Sequence, residues 1–568
     1  MTKPWMYGNT TVRSALRLKD GLAALVASGM SNLAGESNEI AFAELLDEYS
    51  VVSLSDSTEN VSSLGRKWRS ALGKLGFIVN KLPNEALRQK QSLFGQEYTV
   101  TENGKRLLEA ESVPAIQEVF LRAMAVVQVP SPYERGYLPP PFNPLRHVLR
   151  VMLAMDEATG SSHITPVEMA TIVQVTTPRE ATDAIVRRVV DLRERREASQ
   201  NKRAFDKQER VVAAEAADLK EGTLKDYADL NFRYLRATGL FQGKGRGISL
   251  VPEQKSVSEL LAAQPDKTYQ PDEYILQLGK GDALPTDDDY GARVVLERLA
   301  TAAIERGIEV DLSVYDLTTA ATIGVARHDI EAKIAMSKEK DYAAEQASKI
   351  AEILAVMDLI VTKRTTMFLG DEEISVPKDE RPAYFEWVVW RAFLAINHLA
   401  VPPYEVRRFR IDQDFLPVGN APGGGADLIV EFDDFVLVVE VTLTENSRQE
   451  AAEGEPVRRH VADIVEKYAD TGKAVYGLFL ANRIDTNAAE TFRIGSWYRA
   501  DDSRMNLDIA PFTLAQFRAL VASMFDEGEV HPNAVREVID AAIELRNQSD
   551  YAPEWKAKLM ALMPVPTT

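Results

Sequence analysis

The sequence predicts a multidomain α+β chain, and three observations carry that expectation. Its 568 residues exceed what one hydrophobic core supports. A pattern of helix, polar break and helix, followed by helix, glycine, strand, turn and strand, occurs twice in the first half. The last third changes character: it opens on an apolar helix and runs into GGGADLIVEFDDFVLVVEVTLTE, residues 423–445, which reads as a buried β-hairpin.

The first copy of the pattern is carried by NEIAFAELLDEYS, SSLGRKWRSALGKLGFIV and EYTVTENGKRLLEAE. In the middle piece Leu64, Trp68, Leu72 and Leu75 recur at helical spacing, with Arg66, Lys67, Arg69 and Lys74 set mainly off that stripe. Gly76 stops the helix, Phe77–Val79 begin a strand, and YTVTENGKRLL opens on a second one. A turn at Glu102–Gly104 and a helix capped by Thr101 are expected next. A helix pair, a basic helix and a β-wing are the pattern of a winged helix-turn-helix, a module that reads the major groove of DNA.

PLRHVLRVMLAMDEATGSSHITPVEMATIV repeats the opening of this pattern. TLKDYADLNFRYLRATGLFQGKGRGISLVPE repeats its end, with FRYLRATGLF matching KWRSALGKLGFI in rhythm. Arg233 and Arg236 stand on the second basic helix, and Lys244 and Arg246 form a glycine-rich cationic wing tip suited to a phosphate backbone. Between these pieces VRRVVDLRERREASQNKRAFDKQERVVAAEAA is expected to be a solvated helix. The proline-rich YLPPPFNP separates the modules, giving residues 1–136 and 137–270. Breaker-poor amphipathic stretches over 290–365 predict a helical linker domain, residues 271–372, and PKDERPAYFEWVVWRAFLAI opens a last domain, 373–568.

Composition narrows the function classes. The apolar 45% and charged 27% fit a globular chain and argue against large-scale disorder. With no cysteine there is no disulfide, no Cys-ligated zinc and no thiol nucleophile. No apolar run approaches the roughly 18–20 residues of a membrane span, and MTKPWMYGNTTVRSALRLKD lacks the core of a secretory signal. A cytoplasmic enzyme is the expectation. The formal charge of −19 runs against nucleic-acid binding, unless charge is segregated by domain, as the basic helices indicate.

A two-residue turn at Asp433–Asp434 sets Phe432 against Phe435 and brings Asp427 opposite Glu440. Opposed side chains share a face, with Cβ atoms about 4.5–5.5 Å apart, and the flanking ADLIV and VLVVEV are apolar on both faces. Two unpaired buried carboxylates cost several kcal/mol or take up a proton. A divalent cation between them removes the conflict, and oxygen ligands without cysteine or paired histidine favour Mg²⁺.

An acid at a strand start, a hairpin and a second acid resemble the PD-(D/E)XK nuclease pattern. The whole order, with FEW, GGGAD, VEVT and EGEPVRRH, resembles the AlwI-type family of Type IIS restriction endonucleases, which includes large subunits of nicking endonucleases. The resemblance implies Asp427, Glu440 and the Val441 carbonyl as metal ligands, Glu386 as an upstream acid, and Glu453 and His460 as further catalytic positions. It implies a C-terminal α/β PD-(D/E)XK-like core and Mg²⁺-dependent hydrolysis of double-stranded DNA a few nucleotides from a short asymmetric site. Ala426 replaces the proline of the general pattern, and Thr442 stands where a lysine is usual. Glu453 or His460 is expected to orient the attacking water instead, with Lys467 and Lys473 as secondary candidates. Arg458 and Arg459 are candidates for contacting phosphates of the scissile strand. One catalytic centre cuts one strand, so double-strand cleavage calls for a transient homodimer or a small catalytic subunit. The competing expectation, a non-enzymatic winged-helix regulator, leaves the four acids unexplained.

Overall fold

A computed structural model describes residues 3–8, 12, 14–52, 54, 61–80, 97–131, 140–370 and 372–563. The boundary expected at 136–137 and the tip of the first wing lie outside the described residues. The chain divides into two compact units, Met1–Ile334 and Ala335–Thr568. It is a helix-rich mixture of α and β structure with small sheets. Among the described residues no helix is long and apolar enough to cross a membrane.

The first unit contains the same arrangement twice. Helices Leu18–Ser28, Glu36–Glu48 and Val61–Lys74 lead into antiparallel strands Ile78–Asn80 and Tyr98–Val100. Helices Pro144–Thr159, Pro166–Thr171 and Glu221–Arg236 lead into antiparallel strands Phe241–Lys244 and Gly247–Leu250. In each copy a single residue between the first two helices bridges to the strand pair: Asn32 to Glu97, and Ile164 to Ile248. The glycines read as stops act as stops, since Gly76 and Gly239 take φ values of +72° and +74°, a left-handed conformation that ends a helix. Trp68 and Leu72 are buried as their spacing predicts.

Two local expectations change. Glu102–Gly104 is no turn but the first turn of helix Glu102–Glu109, because Thr101 accepts the Gly104 N–H and caps the helix directly. The charged segment between the halves of the second copy is not one solvated helix. It folds as two, Thr182–Glu197 and Lys202–Ala216, which run back along each other through ion pairs Arg195–Glu209 and Arg196–Asp206. The first of them buries Ile185, Val186, Val189 and Leu192, and the second buries Ala214.

The stretch 290–365 is helical as expected, in Asp289–Glu305, Ala320–Glu345 and Ile350–Val361. The last of these packs in the core of the second unit, against helix α1 (Arg381–Ile396). Every residue of α1 except Pro382 is buried. The sheet behind it contains β1 (Leu428–Glu431), β2 (Phe435–Thr442), β3 (Ala474–Ala481) and β4 (Ile509–Thr513), in the order β4-β3-β2-β1. β1 and β2 are antiparallel, and β2, β3 and β4 are parallel. Helix α2 (Glu455–Lys467) crosses from β2 to β3. β2 is buried on both faces, which is why its sequence is an unbroken apolar run up to Glu440.

Close helix packing in the first unit gives a direct test. A methyl group on Gly65 would overlap the Glu39 carbonyl oxygen of the neighbouring helix, whereas one on Gly222 meets open space. Gly65→Ala is expected to lower stability by about 1–3 kcal/mol, and Gly222→Ala to raise it by about 0.4–1 kcal/mol. Chemical denaturation of the two variants checks the contrast.

Candidate active site

The hairpin adopts the register expected from its turn. Leu428 pairs with Val439 and Glu431 with Val436, and the Phe432 N–H donates to the Phe435 carbonyl at 2.9 Å. Counting outward sets Asp427, one residue before β1, opposite Glu440. At the far end of the hairpin Asp434 pairs with Arg536 at 2.6 Å.

Each acid of the site is held differently. Asp427 Oδ2 accepts the Val441 N–H at 2.8 Å. Because N–H and C=O of one residue leave an antiparallel strand on the same side, the Val441 carbonyl faces the side where Asp427 lies. Glu440 is 7% exposed, and its Oε1 lies 2.6 Å from His460 Nδ1. Glu386, on α1, is 5% exposed, and its Oε2 accepts the Ala421 N–H at 2.7 Å. Glu453 sits in a π-helical turn, Glu450–Gly454, that feeds α2, and it takes a hydrogen bond from the Thr442 hydroxyl. A wide turn of this kind is common where a side chain has to be re-aimed at a functional site.

Two packing features bring His460 onto the sheet. Val457 and Val461 of α2 are buried, and Gly477 of β3 leaves the space: a Cβ there would lie 2.9 Å from Val461 Cγ2. The helix therefore approaches closely enough for His460 to reach Glu440.

The electrostatics are those of carboxyls crowded together away from water. Burial, then Glu440, pushes the Asp427 carboxyl up to about 8. Burial, then Glu453, pushes Glu440 up to about 8. Glu386 is raised well above the ordinary range by burial and by Asp427, and Glu453 is raised by burial. His460 is lowered, first by burial and then by Arg459 and Arg408, and its Nε2 is buried without a hydrogen-bond partner. Among the described residues no three acidic or imidazole groups close around one point as a side-chain cage. Mg²⁺ does not need one, since it binds through one or two carboxylates and keeps its waters. Asp427, Glu440 and the Val441 carbonyl therefore fit such an ion.

Other expected positions fall elsewhere. Lys473 binds Glu431 and the Phe432 carbonyl at the turn end of the hairpin, far along the strands from Glu440. Lys467 lies over the Tyr468 ring. Arg458 donates to the Gly454 and Ser496 carbonyls, and Arg459 pairs with Glu455 at 3.1 Å. In the first unit Arg66 is exposed and Lys67 and Lys74 are half-buried. Arg69 is taken up by Glu39 and the Leu33 carbonyl. Arg233 is taken up by Asp229 and the Val12 carbonyl, and Arg236 is half-buried. Lys244 and Arg246 are exposed at the hairpin tip. Sequence reasoning missed Arg408, whose charge acts on Glu386, Glu440 and His460. The only sequence signal for it is a basic RRFR shortly before the glycines.

Raised carboxyls make stability depend on pH. Without divalent ions the folded chain keeps protons that the unfolded chain loses near pH 4. The contribution of these carboxyls to stability is therefore expected to fall as pH rises from about 4 to about 8. Asp427→Asn keeps an acceptor for Val441 and removes up to one proton, so this slope should flatten by up to about 1.4 kcal/mol per pH unit. Denaturation in chelator across this range measures it; an unchanged slope contradicts the account.

A family model described as AlwI restriction endonuclease matches residues 73–520. Among solved structures, the small subunit (R.BspD6I2) of the heterodimeric restriction endonuclease R.BspD6I matches at 26% identity. That match covers 37% of this chain and 96% of the other, with a TM-score of 0.27. No curated protein matches. The family match spans most of the sequence and takes in the opposed acids, and on it the chain belongs to the AlwI restriction endonuclease family.

Proposed function

We propose that this restriction endonuclease reads a short asymmetric site in double-stranded DNA and hydrolyses a phosphodiester a few nucleotides away, in a Type IIS manner that depends on Mg²⁺. The observation that carries the reading is the opposition of Asp427 and Glu440, both buried and both pushed up to about 8. Carboxylates arranged to repel each other inside a well-packed sheet are destabilising without a cation. The repeated arrangement in the first unit is read as tandem winged helix-turn-helix modules, and the second unit as a PD-(D/E)XK-like nuclease. Among the cations named on the two basic helices and the second wing, Arg66, Lys244 and Arg246 are exposed; contacts of this kind set register on the phosphate backbone.

Asp427, Glu440 and the Val441 carbonyl would hold Mg²⁺, a Lewis acid that stabilises charge on the phosphate and makes a water more acidic. The remaining work belongs to the chain. With Glu440 ionised, His460 Nδ1–H donates to it, which fixes the tautomer and leaves Nε2 as an unprotonated acceptor. The depressed pKa of His460 keeps it in that form near neutral pH. Glu453, oriented by Thr442, is the second group able to hold or accept a proton from the attacking water. Glu386 adds an acid anchored by Ala421 at the same cluster.

One such centre cuts one strand, so the isolated chain is a nickase. Cleavage of both strands requires a transient homodimer or a separate small catalytic subunit.

Incubation with supercoiled plasmid and Mg²⁺ should produce open circles with one break at a fixed distance from one motif, read by sequencing the ends. Asp427→Ala and Glu440→Ala should reduce this to background, and His460→Ala should slow it by about 10²–10⁴-fold. A plasmid shifted on a gel yet left intact by the wild-type chain would mark a DNA-binding regulator and overturn the nuclease reading. Scattered breaks would overturn site recognition.

A further inference from the structure

One cation stands among the carboxylates with no acid of its own. The Arg408 backbone N–H donates to the Asp427 carbonyl at 3.3 Å, next to the bridge between Arg407 and Leu428. Its side chain folds back along the glycine loop, and Nη1 donates to the Ala426 carbonyl at 3.2 Å. The glycines of GGGAD make room for it. A Cβ on Gly425 would lie 2.9 Å from Arg408 Cζ, and Gly424 turns the chain at φ +86°.

The neighbouring arginine shows the contrast. Arg407 is bound by both oxygens of Glu339, at 2.7 and 2.8 Å. Among the described residues Arg408 forms no ion pair, although its charge is felt by Glu386, Glu440 and His460. A guanidinium seated on backbone beside a metal-type acid pair presents a donor fork to an anion that arrives there, and its planar geometry suits phosphate. On β2 no cation is available: Thr442 stands in the usual lysine position, and its hydroxyl is given to Glu453.

We propose that Arg408 is a catalytic residue whose guanidinium contacts the scissile phosphate and supplies the positive charge absent at Thr442. The assignment rests on the nuclease reading above and adds a phosphate contact to the same site. The contact neutralises charge that builds on the non-bridging oxygens during displacement, so its effect falls on the chemical step more than on DNA binding.

Single-turnover nicking of plasmid by the full chain with Mg²⁺, together with binding of the same DNA in chelator, tests this. Arg408→Gln should slow nicking about 10²–10³-fold, with binding changed less than about threefold and the thermal midpoint unchanged. Arg408→Lys should recover part of the rate. Gly425→Ala keeps the arginine but displaces it, and should be slowed in the same way. Nicking by Arg408→Gln within about threefold of wild type overturns the assignment while the nuclease reading stands. Equal loss in the Gln and Lys variants with a lowered thermal midpoint also overturns it, in favour of a purely structural role. A wild-type chain that leaves the plasmid intact overturns the nuclease reading, and the assignment falls with it.

Discussion

The pairing of Phe432 with Phe435 across a two-residue turn governs the second unit. It fixes the register of β1 on β2, and register decides which residues share a face. A slip of one residue would move Glu440 to the other side of the sheet. The same turn that packs two aromatic rings therefore opposes Asp427 and Glu440. The repulsion of the acids is a cost the hydrophobic core has to carry. That core is large: Val436, Leu437, Val438 and Val439 of β2 are fully buried, and β3 covers the edge that β1 does not.

Further groups reach the opposed acids from both flanking helices. α1 is buried almost throughout and delivers Glu386 as a polar residue in an apolar helix. α2 settles into the notch at Gly477 and delivers His460, while the π-helical turn ahead of it delivers Glu453. Thr442 links strand to turn by its hydroxyl. The site is thus assembled from elements whose packing is hydrophobic and whose polar groups converge on one end of the hairpin. Rigid elements of this kind hold reacting groups in place better than loops do.

Much of this was legible from local pattern. The FDD turn, the register it sets, the glycine stops at Gly76 and Gly239 and the Thr101 cap each depend on neighbours within a few residues. What escaped depends on partners far apart in sequence. Arg69 meets Glu39 and Arg233 meets the Val12 carbonyl, contacts that no local pattern announces. The charged stretch 186–217 has the composition of a solvated helix, but a break at Ser199–Asn201 lets its charges pair with one another. Single-residue bridges such as Asn32–Glu97 and Ile164–Ile248 leave no periodic trace at all. Arg408 was hidden for the same reason, since its seat is the carbonyl of Ala426, 18 residues away.

The central claim is that Asp427 and Glu440 tolerate each other because a divalent ion sits between them. Anomalous diffraction from crystals soaked in Mn²⁺ tests it most directly. The account predicts a peak contacting both carboxylates and the Val441 carbonyl, and its loss in Asp427→Asn. Carboxylates turned apart with no peak beside either would contradict it.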